Sequence, residues 1–235
     1  MRRVSESYRQ NLYGQIKSWS TIFASFLRKD KEKMEAQIFL MGGNPPIKNH
    51  TIVNRIVSSR KIERIVIFTV YRENWEPYMK KYTEVFRSHF SNLNTDYLLL
   101  DTEQIDFDSY LDADVIIIGG GNTEKYLATY VNQEFKNYIV HMLNKGAKVM
   151  GFSAGALLLG EKVYVSPNDN ADHQIKIKNG LGLFSQFLIS VHYDSWNDKA
   201  NKDRAEELVH VPIIPLNDHS CLVLDKLGNI IEKID

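Results

Sequence analysis

The chain has 235 residues, 43% hydrophobic and 25% charged, which is enough apolar material for one well-filled core. Its 29 basic and 29 acidic side chains cancel, so the charge balance calls for neither nucleic acid nor an anionic membrane as partner and leaves a small substrate open. The single cysteine, Cys221, can form neither an intrachain disulfide nor a thiolate zinc site; this fits a reducing compartment and makes the cytoplasm the expected location.

The opening MRRVSESYRQ is not followed by a continuous apolar core with a small-residue cleavage site, so no secretion signal is expected. No apolar run approaches the roughly 20 residues that span a bilayer. Leu12, Ile16, Trp19, Ile22, Phe23, Phe26 and Leu27 recur at helical spacing and predict an amphipathic helix over 8–28, ended by the charged run RKDKEK. Such a helix packs on the body or on a second subunit, which keeps a homo-oligomer open. Its polar face is not notably basic, which argues against a membrane surface. Residues 1–33 are accordingly assigned to this helix and a linker, and 34–235 to one α/β domain.

From residue 36, apolar β-branched runs alternate with helical patterns, which predicts parallel strands joined by crossover helices. The order is AQIFLM, a helix over 49–59, IVIFTV, a helix over 76–90, DYLLL, DVIII, helices within 123–144, KVMGF and a short helix from 154. FLISV, a helix over 199–209 and VPIIPL follow. SCLVLD and IIEKI, separated by KLGN, read as a C-terminal β-hairpin.

Ligands of an open parallel sheet bind at the carboxyl ends of its strands. After DVIII stand Gly119, Gly120 and Gly121 with Asn122; after KVMGF stands Ser153; after FLISV stands His192; after VPIIPL stand Asn217 and Asp218. Gly151 and Gly155 flank Ser153 as a sharp strand-to-helix turn requires, which would present the hydroxyl above the sheet and aim the Ala154 amide at an oxyanion. The same pattern also suits a packing turn capped by serine. Gly120 and Gly121 offer bare amides as further oxyanion donors, and Asn122 beside them is a candidate substrate contact. A phosphate loop is the rival, but neither G-x-x-x-x-G-K-[ST] nor G-x-G-x-x-G occurs there.

A serine needs a base, and of seven histidines His192 alone directly follows a strongly apolar strand-like run. Asp218 is the preferred acid to orient it, with Asp194 the alternative. Asp169, Asp172, His173, His192 and Asp194 are conceivable metal ligands, but NDNADH lacks the pattern of a calcium loop and no HExxH occurs, so no metal is expected. The order Ser, His, acid differs from the Ser, acid, His of α/β-hydrolases, and little chain follows Ser153 for their further strands and cap.

IIIGGGNT followed by GFSAGA, then SVHYD and PLNDHS, resembles the dipeptidase E and cyanophycinase family of serine peptidases over roughly residues 36–235. The resemblance implies a three-layer α/β/α, flavodoxin-like fold similar to class I glutamine amidotransferases, with a mostly parallel sheet. It also implies a Ser-His-acid triad, a small peptide substrate and no cofactor. By motif, Ser153 is the nucleophile, His192 the base and Gly120 with Ala154 the oxyanion donors, Gly121 being next best. The acid, a glutamate in dipeptidase E, is matched by Asp218. Within ANKDRAEEL, Asn201 stands where dipeptidase E carries the arginine that recognises an aspartyl carboxylate, and Arg204 matches a later arginine. An amide cannot form the bidentate pair that a guanidinium makes. Strict aspartyl specificity is therefore not expected unless Lys199, Lys202 or Arg204 substitutes. A noncatalytic amidotransferase-like domain that binds a small ligand or a protein is the alternative function.

Overall fold

Five apolar runs form parallel strands: β1 (Ile38–Met41), β2 (Arg64–Thr69), β3 (Asn94–Leu99), β4 (Val115–Ile118) and β5 (Lys148–Phe152). Every residue of β1, β4 and β5 is buried, which is why these strands, Lys148 apart, read as unbroken apolar runs and not as alternating ones. The structure is a computed structural model that describes residue 35 and residues 37–58, 61–101 and 104–235. The helix expected over 8–28 and the charged run after it lie outside the described residues. Residues 36–235 form one compact unit.

Alternation along the strands sorts side chains onto two faces. Ile38, Leu40, Val66, Phe68, Ile116, Ile118 and Val149 share a core with residues of α3 (Thr123–Tyr130) and α4 (Gln133–Asn144), among them Tyr126, Tyr130, Phe135 and Met142. On the opposite face lie α1 (His50–Val57) and α2 (Trp75–Arg87). There Phe152 meets Tyr82 of α2 edge to face at 4.9 Å between centroids, and the Lys148 ammonium reaches the Ile56 carbonyl of α1. These are the three layers of a flavodoxin-like α/β/α fold. Among the described residues no helix is long and apolar enough to cross a membrane.

The expected C-terminal hairpin forms from β10 (Cys221–Leu224) and β11 (Ile230–Ile234), and β10 adds to β1 antiparallel. Its loop is closed by Asp225, which accepts from the amides of Leu227 and Asn229, and it turns through Gly228 at φ +82°. The sheet order is β11-β10-β1-β5-β4-β2-β3. Strand order therefore reverses between β2 and β4, the kind of position at which open α/β sheets bind their ligands.

Two expected strands lie outside this sheet. FLISV and VPIIPL supply β8 (Leu188–Ser190) and β9 (Ile213–Pro215), which pair only with each other, in parallel. β1 has both edges filled, by β5 and β10, so the main sheet offers them no place beside it. They attach end-on instead, through His192 N to Gly42 O at 2.9 Å. A hairpin of β6 (Lys162–Val165) and β7 (Lys176–Asn179), not anticipated from sequence, separates α5 (Ala154–Leu157) from β8. The helix expected over 199–209 is present as α6 (Lys199–Val209).

Candidate active site

Ser153 joins β5 to α5 with φ 49° and ψ −112°, a conformation that costs an L-residue on the order of 1–3 kcal/mol and persists only where its surroundings impose it. The imposing contacts are visible. A Cβ on Gly151 would stand 2.4 Å from the Gly155 carbonyl oxygen, and one on Gly155 would stand 2.2 Å from that of Ile118. The two flanking glycines thus let α5 press against β4 and β5, and the turn between them lifts Ser153.

The Ser153 hydroxyl lies 2.9 Å from His192 Nε2, and His192 Nδ1 contacts Asp218 Oδ1. Ser153 and His192 are 5% and 7% exposed, so water competes little for this chain of hydrogen bonds. His192 also sits at positive φ, 51°, and its ring lies 4.6 Å from that of Trp196. Asp194 is exposed and no hydrogen bond or ion pair joins its side chain to His192.

The end of β1 assembles these parts. Met41 O accepts from Ser153 N, Gly42 O accepts from His192 N, and Gly42 N donates to Ser220 O. A Cβ on Gly43 would fall 2.4 Å from the Asp218 carbonyl oxygen and 2.6 Å from its Cα. Gly43→Ala is therefore expected to destabilise the fold by about 1–3 kcal/mol through overpacking against backbone. An unchanged melting temperature would contradict this packing. Gly42 and Gly43 went unassigned in the sequence, although two glycines directly after an apolar run were the available signal.

One oxyanion assignment changes. The Gly120 amide already donates to the Tyr82 hydroxyl at 2.8 Å, and burial raises that hydroxyl well above its usual pKa, so it stays a neutral acceptor. Gly120 is thus not free to donate to a ligand. Among the described residues the amides of Gly121 and Ala154 have no acceptor within the chain. The first residue of a helix has no helical acceptor, which leaves the Ala154 N–H available.

A model of peptidase family S51 matches residues 58–230, most of the chain. The chain belongs to peptidase family S51. It is a serine-type hydrolase. Among solved structures it is similar to a putative peptidase E protein from Listeria monocytogenes EGD-e, with a TM-score of 0.62 and 18% identity over 86% of this chain and 97% of that one. It is also similar to a peptidase from an acI-B1 Actinobacterium, with a TM-score of 0.61 and 17% identity over 82% of this chain and 84% of that one. At these identities the likeness is one of fold. No curated protein matches the sequence.

The other predicted residues of this S51 chain fare differently. Asn122 caps α3, its side-chain oxygen accepting from Lys125 N at 2.8 Å. Asn201 donates to Asp198 at 3.1 Å, and Arg204 is exposed; neither has a hydrogen bond or ion pair to Ser153, His192 or Asp218. Lys199 and Lys202, the alternative cations on α6, are engaged by Asp203 and Glu206. No three His, Cys, Asp or Glu side chains gather as metal ligands among the described residues.

Two carboxylates outside the expected triad shape the S51 site. Asp198, fully buried, accepts from Tyr164 at 2.9 Å, Ser190 at 2.9 Å, Asn201 and Ser166, and so ties the ends of β6 and β8 to α6. Asp169, considered in the sequence only as a metal ligand, accepts from Thr123 at 2.6 Å, beside the glycine loop. Burial holds its carboxyl above the usual range, opposed by the Thr123 hydrogen bond and by the nearby His192.

Proposed function

We propose that this S51 peptidase is an exopeptidase, acting on short peptides at their N-terminal end through an acyl-enzyme. The observation that carries the proposal is the continuous contact from the Ser153 hydroxyl through the His192 ring to Asp218. Nδ1–H donates to the carboxylate, which fixes the tautomer and leaves Nε2 to accept from Oγ–H. Ser153 Oγ then bonds to the scissile carbonyl carbon as its proton moves to Nε2. The developing oxyanion is held by the Gly121 and Ala154 amides. The C–N bond breaks as Nε2 returns the proton to the leaving amine. Water, deprotonated by the same nitrogen, hydrolyses the ester and restores Ser153.

The Asp169 carboxylate, near His192 and held by Thr123, is suited to the α-ammonium of a peptide and supports cleavage at the N-terminal end. Asn201, bound to Asp198, supplies no charge for an aspartyl side chain.

Purified protein is expected to react at Ser153 with an active-site serine reagent and to hydrolyse members of a broad dipeptide library. N-acetylation of the same peptides should lower kcat/KM by about tenfold or more, since it removes a charged hydrogen-bond partner. Failure of both labelling and hydrolysis would defeat the peptidase mechanism. Equal cleavage of acetylated peptides would defeat the exopeptidase assignment alone.

A further inference from the structure

Gly119, Gly120 and Gly121 carry no side chains, so nothing of their own holds the loop after β4 in one conformation. Two phenols hold it instead, Tyr82 of α2 and Tyr126 of α3, which are 1% and 0% exposed. The Gly120 N–H donates to the Tyr82 hydroxyl at 2.8 Å, and the Tyr126 hydroxyl donates to the Gly120 carbonyl at 3.3 Å, so both polar groups of one residue are gripped. A Cβ on Gly119 would stand 2.8 Å from Tyr126 Oη and 3.0 Å from Tyr82 Oη, and one on Gly121 would stand 3.3 Å from Tyr126 Cε2. Tyr126 thus lies against all three glycines.

A carbonyl can only accept, so the Tyr126 proton is committed to Gly120, and the Thr69 hydroxyl, 3.1 Å away, donates to the phenol oxygen. Burial pushes the Tyr126 hydroxyl up to about 12 and the Tyr82 hydroxyl well above its usual value, so both keep their protons at neutral pH. Tyr130 lies one step further out. Its hydroxyl donates to the Thr69 carbonyl and makes no hydrogen bond to the glycine loop.

The grip bears on the reaction through the peptide plane. The Gly120 carbonyl and the Gly121 N–H belong to one planar trans unit and point in opposite directions. By fixing the carbonyl, Tyr126 turns the Gly121 N–H away from itself, and that N–H has no acceptor among the described residues. Ser153 Cβ lies 3.3 Å from where a Cβ of Gly120 would stand, so the loop is set directly beside the nucleophile. An oxyanion donor is most effective when it is oriented before the charge develops.

We propose that Tyr126 is a positioning residue for catalysis, whose hydroxyl presets the Gly120–Gly121 peptide so that the Gly121 N–H meets the oxyanion, with Tyr82 as the counter-anchor on the Gly120 N–H. This rests on the peptidase function proposed above. Without the Tyr126 hydroxyl the peptide between two glycines is free to turn, and the donor is misaligned for part of the time.

Tyr126→Phe keeps the ring and deletes the bond to the loop. It should lower kcat by about 10- to 100-fold, approaching the effect of a lost oxyanion donor, with KM changed less than about threefold. The tightest binder among a panel of α-aminoboronic acids, which form a tetrahedral adduct on a nucleophilic serine, should lose affinity in parallel. Dipeptide binding to the Ser153→Ala protein, measured by calorimetry, should change less than about threefold when Tyr126→Phe is added, since the ground state carries no oxyanion. Tyr130→Phe controls for a purely structural role, because it also deletes a buried phenol-to-carbonyl bond; it should lower the melting temperature and leave kcat within about threefold. Should Tyr126→Phe not fold, Tyr82→Phe decides, with the same parallel fall in kcat and boronic-acid affinity expected. Boronic-acid affinity within about threefold of wild type in the folded variant, a fall matched by dipeptide affinity, or an equal loss of turnover in Tyr130→Phe overturns the positioning role alone. Wild-type protein that neither hydrolyses the dipeptides nor binds any of the boronic acids overturns the peptidase function and this role with it.

Discussion

Ser153→Ala is expected to lower kcat on short peptides by about 10⁴-fold or more, the scale on which serine peptidases lose turnover when the nucleophile is removed. Nothing else in the site can replace it. Cys221 is fully buried in β10, burial pushes its thiol far above the usual range, and it stands outside the chain of contacts through His192. The substitution removes only Oγ, and alanine can occupy the same backbone conformation as serine at φ 49°, so the fold should persist. Steady-state kinetics beside a thermal melt test this. A variant that melts like the wild type and retains turnover within tenfold would show that the reaction does not pass through Ser153.

Asp218→Asn is expected to lower kcat by about 10³- to 10⁴-fold with little change in KM. The carboxylate contacts Nδ1 and the serine hydroxyl contacts Nε2, and a hydrogen held on Nδ1 by the carboxylate leaves Nε2 as the acceptor for the serine proton. An asparagine can turn its NH2 toward the ring and favour the other tautomer, in which Nε2 carries the hydrogen and cannot act as base. Asp194→Asn, changing an exposed side chain with no bond to His192, should leave kcat within a factor of two to three. The reverse pattern would transfer the acid role to Asp194.

The elements legible in the sequence were those governed by local pattern. Lys148–Phe152 and Lys199–Val209 occur over the predicted spans; a fully buried strand leaves a contiguous signature, whereas the helix buries Ala205 alone. The hairpin β6–β7 was missed because its second strand, KIKN, alternates lysine with other residues and is half exposed to exposed throughout, so it presents no apolar run. β8 and β9 were recognised as strands but given to the wrong sheet. A strand's own residues state that it is buried, whereas its partner depends on which edges other strands have already filled.

Within the candidate site, the serine between two glycines and the histidine at a strand end could be read directly, since both are requirements of a sharp turn and of a carboxyl edge. The amide arithmetic could not. Gly120 and Gly121 are interchangeable as text, and what distinguishes them is a phenol 38 residues earlier, Tyr82, which reaches the Gly120 N–H from α2. Asn201 and Asp198 likewise lie close in sequence but acquire meaning from Tyr164, Ser166 and Ser190, which arrive from β6, the turn after it and β8.

An α/β chain with a sharp strand-to-helix turn at Ser153 could be read from the residues alone, because strand burial, glycine placement and helix periodicity act between near neighbours. Only the assembled fold shows that Asp218 reaches His192 and that the Gly120 amide is taken by Tyr82, while those of Gly121 and Ala154 have no acceptor among the described residues. Those outcomes depend on distances between segments far apart in the chain, and such distances are set only when the sheet order is complete.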